Sequence, residues 1–128
     1  MYTIDDIGEL LDEAASEIPP DFYTELNGGV NLLPETKHHA ADVSGELYVL
    51  GEYCHDHMGR YIVIYYGSLC NVYPNIGSGT MKARLKKLLL HEFTHHLESL
   101  AGEHGLEDKD RCDLARYVRG KLRPTSSV

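Results

Sequence analysis

The sequence predicts an α+β fold, and three observations carry the prediction: an amphipathic helical stripe near the start, a run of strand-forming segments in the middle, and a long helix-favouring stretch from residue 81 to residue 102. Helices and strands are segregated along the chain rather than alternating.

The first element opens with Thr3, a residue whose side chain can accept from the backbone N–H groups of a first helical turn. Ile4, Ile7, Leu10, Leu11 and Ala14 follow at three- and four-residue steps, and Pro19-Pro20 stops the pattern. Residues 21–26 fit a short second helix ended by Asn27-Gly28-Gly29, and residues 30–33 before Pro34 fit a short strand. The polar stretch 35–45, with His38 and His39, reads as a loop. Residues 46–53 (ELYVLGEY) and 60–66 (RYIVIYY) alternate or are dense in β-branched and aromatic side chains, so both are expected to be strands. The linker from His55 to Gly59 then closes a hairpin, which gives a small three-stranded sheet, mixed or antiparallel.

Gly77-Ser78-Gly79 breaks the chain, and Thr80 can cap the run that follows, MKARLKKLLLHEFTHHLESLAG. Leu85, Leu89, Phe93, Leu97 and Leu100 share one face of this helix and should point to the core. Gly102 and Gly105 punctuate its end, a closing helix is expected over 108–119, and residues 124–128 read as a flexible tail. A single domain over residues 1–123 accommodates all of this, since 128 residues are too few for two independent cores.

Composition narrows the function. With 42% hydrophobic and 25% charged residues the chain has the balance of a soluble globular protein, and a net charge of -8 argues against a nucleic-acid partner. The one basic cluster, Lys82, Arg84, Lys86 and Lys87, reads as a solvated helix face. No apolar run reaches the roughly 18 residues of a membrane span, and the acidic start MYTIDDIGEL has no signal-peptide character. A cytoplasmic monomer with no membrane partner is therefore expected. Cys54, Cys70 and Cys112 form no C-x-x-C pair and read as free, partly buried thiols.

The chemistry lies in His91-Glu92-Phe93-Thr94-His95, an H-E-x-x-H segment inside the long helix. Residues four apart sit about 6 Å apart on successive turns, so both imidazoles can bind one ion, and zinc suits neutral imidazole nitrogen. Glu92 then lies where it can take a proton from a water at an open coordination position. The motif falls on a side of the helix distinct from the leucine stripe, which a chance match would not require. His55 with His57, and His38 with His39, read as solvated loop residues, while His96 reads as a residue that supports a ligand or faces solvent, with no required role.

A catalytic zinc has three protein ligands and a water, so a third donor is needed. Glu98 is seven residues beyond His91, about 10 Å along the axis, which is too far to close a compact site. If the helix runs to about Gly102, the chain must reverse through at least three extended residues to return to metal height. Asp108 satisfies that reach best and Glu107 second, with Glu103, His104 and Asp113 remaining open.

The helix resembles that of the small bacterial zincin-like metallopeptidases, whose pattern is H-E-x-x-H-x-x-G-x-x-D. LNGGVNLLP, LYVLGEY and GRYIVIYYGS also look like the sheet region of that family. The resemblance implies a minimal zincin-like fold, a zinc cofactor at His91 and His95, Glu92 as general base, and hydrolysis of a peptide or protein substrate. Here Glu98 stands at the family's glycine position and Ala101 at its aspartate position; a G-x-x-D occurs only at Gly105 to Asp108, a two-turn extension. In zincins a strand edge near the metal holds the substrate and a hydroxyl can stabilise the oxyanion, which makes some tyrosine a candidate without choosing one. The rival readings are a non-peptidase metal-dependent hydrolase, or a binding module with a structural zinc. On the reach argument, Asp108→Ala should weaken zinc more than Glu107→Ala or Glu98→Ala in a metal-affinity titration; a larger loss at Glu107 would defeat the ranking.

Overall fold

The computed structural model describes residues 2–40 and 47–103, the side chain of residue 103 excepted. The expected closing helix over 108–119, the tail at 124–128 and Cys112 lie outside the described residues. What is described is α+β: three α-helices and a small mixed sheet.

Helix α1 spans Ile4–Ser16. Thr3 caps it reciprocally, its hydroxyl accepting from the Asp6 N–H at 3.1 Å while its own N–H donates to the Asp6 carboxylate at 2.9 Å. Ile7, Leu11 and Ala14 turn inward, as the stripe requires. The second helix is shorter than expected, a 3₁₀ turn over Pro20–Tyr23. Glu25 adopts φ 60°, a left-handed conformation that no helix interior tolerates, and so the chain reverses there instead of continuing to Leu26.

Strands β1 (Gly29–Leu33), β2 (Lys37–His38), β3 (Tyr48–Val49), β4 (Gly51–Asp56) and β5 (Gly59–Tyr65) follow. The main sheet has the order β1-β5-β4, with β1 parallel and β4 antiparallel to β5. Two corrections arise here. The single strand expected over 46–53 is split: β3 pairs with β2 in a separate two-stranded ladder, inside what reads as a loop, and β4 joins the main sheet. The hairpin loop is also tighter, because His55 and Asp56 belong to β4 and only His57-Met58 make the turn, with Gly59 at φ 110° where a side chain would be strained.

A helix that periodicity did not announce, α2 (Tyr66–Val72), begins directly after β5. Helix α3 then runs over Ser78–Glu103, and the Met81 N–H donates to the Gly77 carbonyl at 2.8 Å. The helix therefore starts before Thr80, which sits inside the first turn rather than capping it.

One core unites these elements. Leu85, Leu89 and Phe93 of α3 are fully buried with Ile7 of α1, Ile62 and Ile64 of β5, and Phe22. Phe93 meets Phe22 and Tyr23 edge-on, with ring centroids 6.0 and 4.8 Å apart. The basic cluster does more than face solvent: Lys82 and Lys86 both pair with Glu17, the C-cap residue of α1, and the Arg84 guanidinium lies over the Tyr73 ring. Among the described residues no helix is long and apolar enough to cross a membrane. Removing the Phe22 ring opens a cavity against Phe93, so Phe22→Ala should lower unfolding free energy by about 3–5 kcal/mol in a denaturant titration; a loss below about 1 kcal/mol would show that this contact does not anchor the core.

Candidate metal centre

Burial of Phe93 fixes the rotation of α3 and with it the placement of the H-E-x-x-H residues. His91 and His95 are exposed, stacked one turn apart with ring centroids 4.9 Å apart and planes at 88°. Two imidazoles so placed on one face can share a cation. Glu98 lies beside His95, its carboxylate 3.9 Å from His95 Nδ1. The other third-donor candidates, Asp108, Glu107, His104 and Asp113, and the side chain of Glu103, lie outside the described residues. Among the described residues no group of three or more His, Cys, Asp or Glu is placed to hold a metal ion.

Glu92 contrasts with its neighbours, for it is only 6% exposed. Burial, reinforced by the negative charge of Glu52, raises its pKa to about 7, while hydrogen bonding from the Tyr53 backbone N–H works in the opposite direction. A carboxyl poised near neutrality is suited to giving and taking protons.

Glu52 is a functional candidate the motif does not reveal. It lies on β4 opposite Val63, with Tyr65 diagonally across the ladder, and its carboxylate accepts from Lys37 Nζ and from the Tyr65 hydroxyl at 2.6 Å. Those partners, Lys37 first, hold its carboxyl below the usual range. Burial and Glu52 together push the Tyr65 phenol well above its ordinary range. The Tyr65 pairing is not visible until the β4–β5 register is known, and Lys37 comes from β2, a strand of the separate two-stranded ladder.

His96 departs from the expectation of a residue with no role. It is fully buried, with Nδ1 2.9 Å from the Tyr53 hydroxyl and Nε2 2.7 Å from the Thr24 carbonyl. Burial, as the leading cause, lowers its pKa and favours the neutral ring. The other histidines, His38, His39, His55 and His57, are exposed, and His38 rests against the Tyr48 ring at 4.9 Å. Cys54 and Cys70 are free and partly buried.

Comparison with known proteins adds a relative. A conserved hypothetical protein from Thermus thermophilus is 35% identical in sequence, superposes with a TM-score of 0.65, and is matched over 79% of this chain and 99% of its own. This chain belongs to the family of that protein. No family model and no curated protein matches the chain. The shared fold extends over nearly the whole of the Thermus protein.

Glu92 yields a stability test that needs no substrate. Its folded pKa of about 7 exceeds the unfolded value of 4.5, so between these limits the folded chain holds a proton the unfolded chain releases. The resulting stability is present below pH 4.5 and lost as pH rises to about 7. Metal-free Glu92→Gln, which cannot ionise, should therefore gain on the order of 1–3 kcal/mol over wild type between pH 5 and pH 8. Parallel stability-versus-pH curves for the two proteins would contradict the buried, high-pKa carboxyl.

Proposed function

We propose that this chain is a zinc-dependent peptidase of the small zincin-like type, acting on a peptide or protein substrate. The observation that carries the reading is a buried carboxyl with a near-neutral pKa, flanked in sequence by two exposed imidazoles whose rings stand 4.9 Å apart on one helix. The donor set fits zinc in kind, since His91 and His95 offer neutral nitrogen, with Asp108 the preferred third ligand on chain reach. A bound zinc ion would supply Lewis acidity, lowering the pKa of a water from 15.7 towards 7 and polarising the scissile carbonyl.

The protein's own part is proton movement and orientation. Glu92 takes the proton of the attacking water and returns it to the leaving amine, a shuttle that its intermediate pKa allows in both directions. Positive charge held by the neighbouring imidazoles would draw that pKa down and favour the base form at neutral pH. Strand β4 supports a peptide rather than a small-molecule substrate: it is the outer strand of its sheet, packs against α3, and among the described residues no strand pairs with its outer edge. An extended peptide can lay its backbone along such an edge.

Metal content and hydrolysis together test the proposal. His91→Ala and His95→Ala should each lose stoichiometric zinc, because a site short of one imidazole binds weakly. Glu92→Gln should retain zinc and lose about 10²–10⁴-fold in rate, because the amide keeps the shape of the carboxyl but accepts no proton. If wild type cleaves a library peptide in a chelator-sensitive way and Glu92→Gln cleaves it equally fast, Glu92 is not the base.

A further inference from the structure

The β4–β5 ladder determines what the outer edge of β4 offers to a peptide. The Tyr65 N–H donates to the Leu50 carbonyl at 2.9 Å, and the register pairs Gly51 with Ile64, Tyr53 with Ile62 and Asp56 with Gly59. Hydrogen-bonded and non-hydrogen-bonded pairs alternate along an antiparallel ladder, so the backbone groups of Gly51, Tyr53 and His55 point away from β5, to the outer edge. The side chains divide by the same parity. A Cβ at Gly51 would lie 3.5 Å from Leu88 of α3, and the Tyr53 hydroxyl reaches His96 of that helix, so this set faces α3. Glu52, Cys54 and Asp56 therefore project from the opposite face of the sheet.

On that face Glu52 and Asp56 have matching surroundings. The Glu52 carboxylate accepts from the Tyr65 hydroxyl at 2.6 Å and the Asp56 carboxylate from the Tyr61 hydroxyl at 2.9 Å, each tyrosine lying diagonally across the ladder on β5. Lys37 shows what such a carboxylate and ring hold: its ammonium sits on Glu52 Oε1 and lies 5.6 Å from the centre of the Tyr65 ring. Among the described residues Glu52 Oε2 accepts no hydrogen bond, and Asp56 forms no salt bridge. Hydrogen bonds, from Lys37 first at Glu52 and from the Met58 N–H first at Asp56, hold both carboxyls below the usual range, so both are charged at neutral pH.

A peptide laid antiparallel along this edge bonds to outward backbone groups and meets Glu52 and Asp56 at its non-hydrogen-bonded positions. There Cα atoms approach to about 4.5 Å and facing side chains lie closest. The two positions are four residues apart in the peptide, about 13 Å in extended chain. We infer that the β4 edge selects extended peptides carrying Lys or Arg at two positions four residues apart, one facing Glu52 and the other Asp56. As a statement about substrate this rests on the peptidase reading; as a statement about binding it does not.

Peptide binding to the metal-free full chain reads this selectivity without catalysis. Three peptides of one otherwise uncharged sequence carry Lys at i and i+4, Glu at i and i+4, or Lys at i and i+3, the last placing its second lysine on the wrong face. In an NMR titration that follows the Gly51 and His55 amide signals, the first should bind about tenfold more tightly than the second and about fivefold more tightly than the third. Asp56→Asn keeps an acceptor for the Met58 N–H; it should abolish the gain from the lysine facing residue 56 and keep the gain from the one facing Glu52. Equal affinity for the two lysine spacings would mean attraction to the net charge of -8 alone and overturns the inference. Binding of none of the three, or shifts that leave Gly51 and His55 unmoved, overturns it too. With zinc supplied, the same tenfold order should appear in kcat/KM. A chain that prefers the four-spaced lysines and cleaves none of the peptides upholds the edge selectivity and defeats the peptidase reading alone.

Discussion

The burial of Phe93 between the 3₁₀ segment and the core is the constraint on which the candidate site depends. A helix advances about 100° per residue, so fixing one side chain fixes the rest. With Phe93 at the centre of the buried face, His96 falls about 60° to one side and Glu92 about 100° to the same side, while His91 and His95 fall roughly opposite. The observed burial follows that wheel: Phe93 and His96 are fully buried, Glu92 is 6% exposed, and both flanking histidines are exposed. The flank shared by His96 and Glu92 is the one that meets β4.

That shared flank explains how two nearby carboxylates come to opposite protonation behaviour. Glu52 keeps partial access to solvent and has a lysine and a phenol as partners, so its ionised form is favoured. Glu92 has lost its water and faces that same negative charge, so its ionised form is disfavoured. Environment rather than residue type separates them, an arrangement that gives acid–base sites two carboxyl groups with different tasks. Solvated by Lys37 and Tyr65, Glu52 remains a fixed charge; Glu92 is the one able to change state near neutral pH.

Much of the scaffold was legible in the sequence because it obeys simple periods. The stripe from Ile4 to Ala14 with its Thr3 cap, the β5 run and the leucine face of α3 each involve more than ten residues or strong side-chain preference, and the structure contains all three. What escaped was set by register and close approach. The 46–53 segment reads as one strand, yet at Gly51 even a methyl group would lie 2.9 Å from Ile64 and 3.0 Å from the Val63 carbonyl, and the chain changes ladders just before it. Helix α2 is only seven residues long and follows β5 without a polar cap, so neither period nor capping chemistry marks it. At the site, the motif itself marks His91, Glu92 and His95 as neighbours. Glu52, Tyr53 and His96 carry no such mark, because only the antiparallel register brings β4 against α3.

The departure from the zincin-like pattern has a physical counterpart in the length of α3. In a chain with glycine three residues after the second histidine the helix can end there and the aspartate three residues later can turn back to the metal. Here that position is Glu98, and the helix continues to Glu103. Ala101, at the aspartate position, is 2% exposed and belongs to the buried side, so the scaffold uses that turn for packing rather than for a donor. Glu98 reaches His95, one turn before it on the same helix. On the peptidase reading, then, the third ligand has to come from the end of α3 or beyond it, at Glu103 or later, and the extra length of helix displaces the point at which the chain can supply it. The same stretch of helix buries Leu100 and Ala101, so the extension lengthens the packed face of the helix as it moves the source of the ligand.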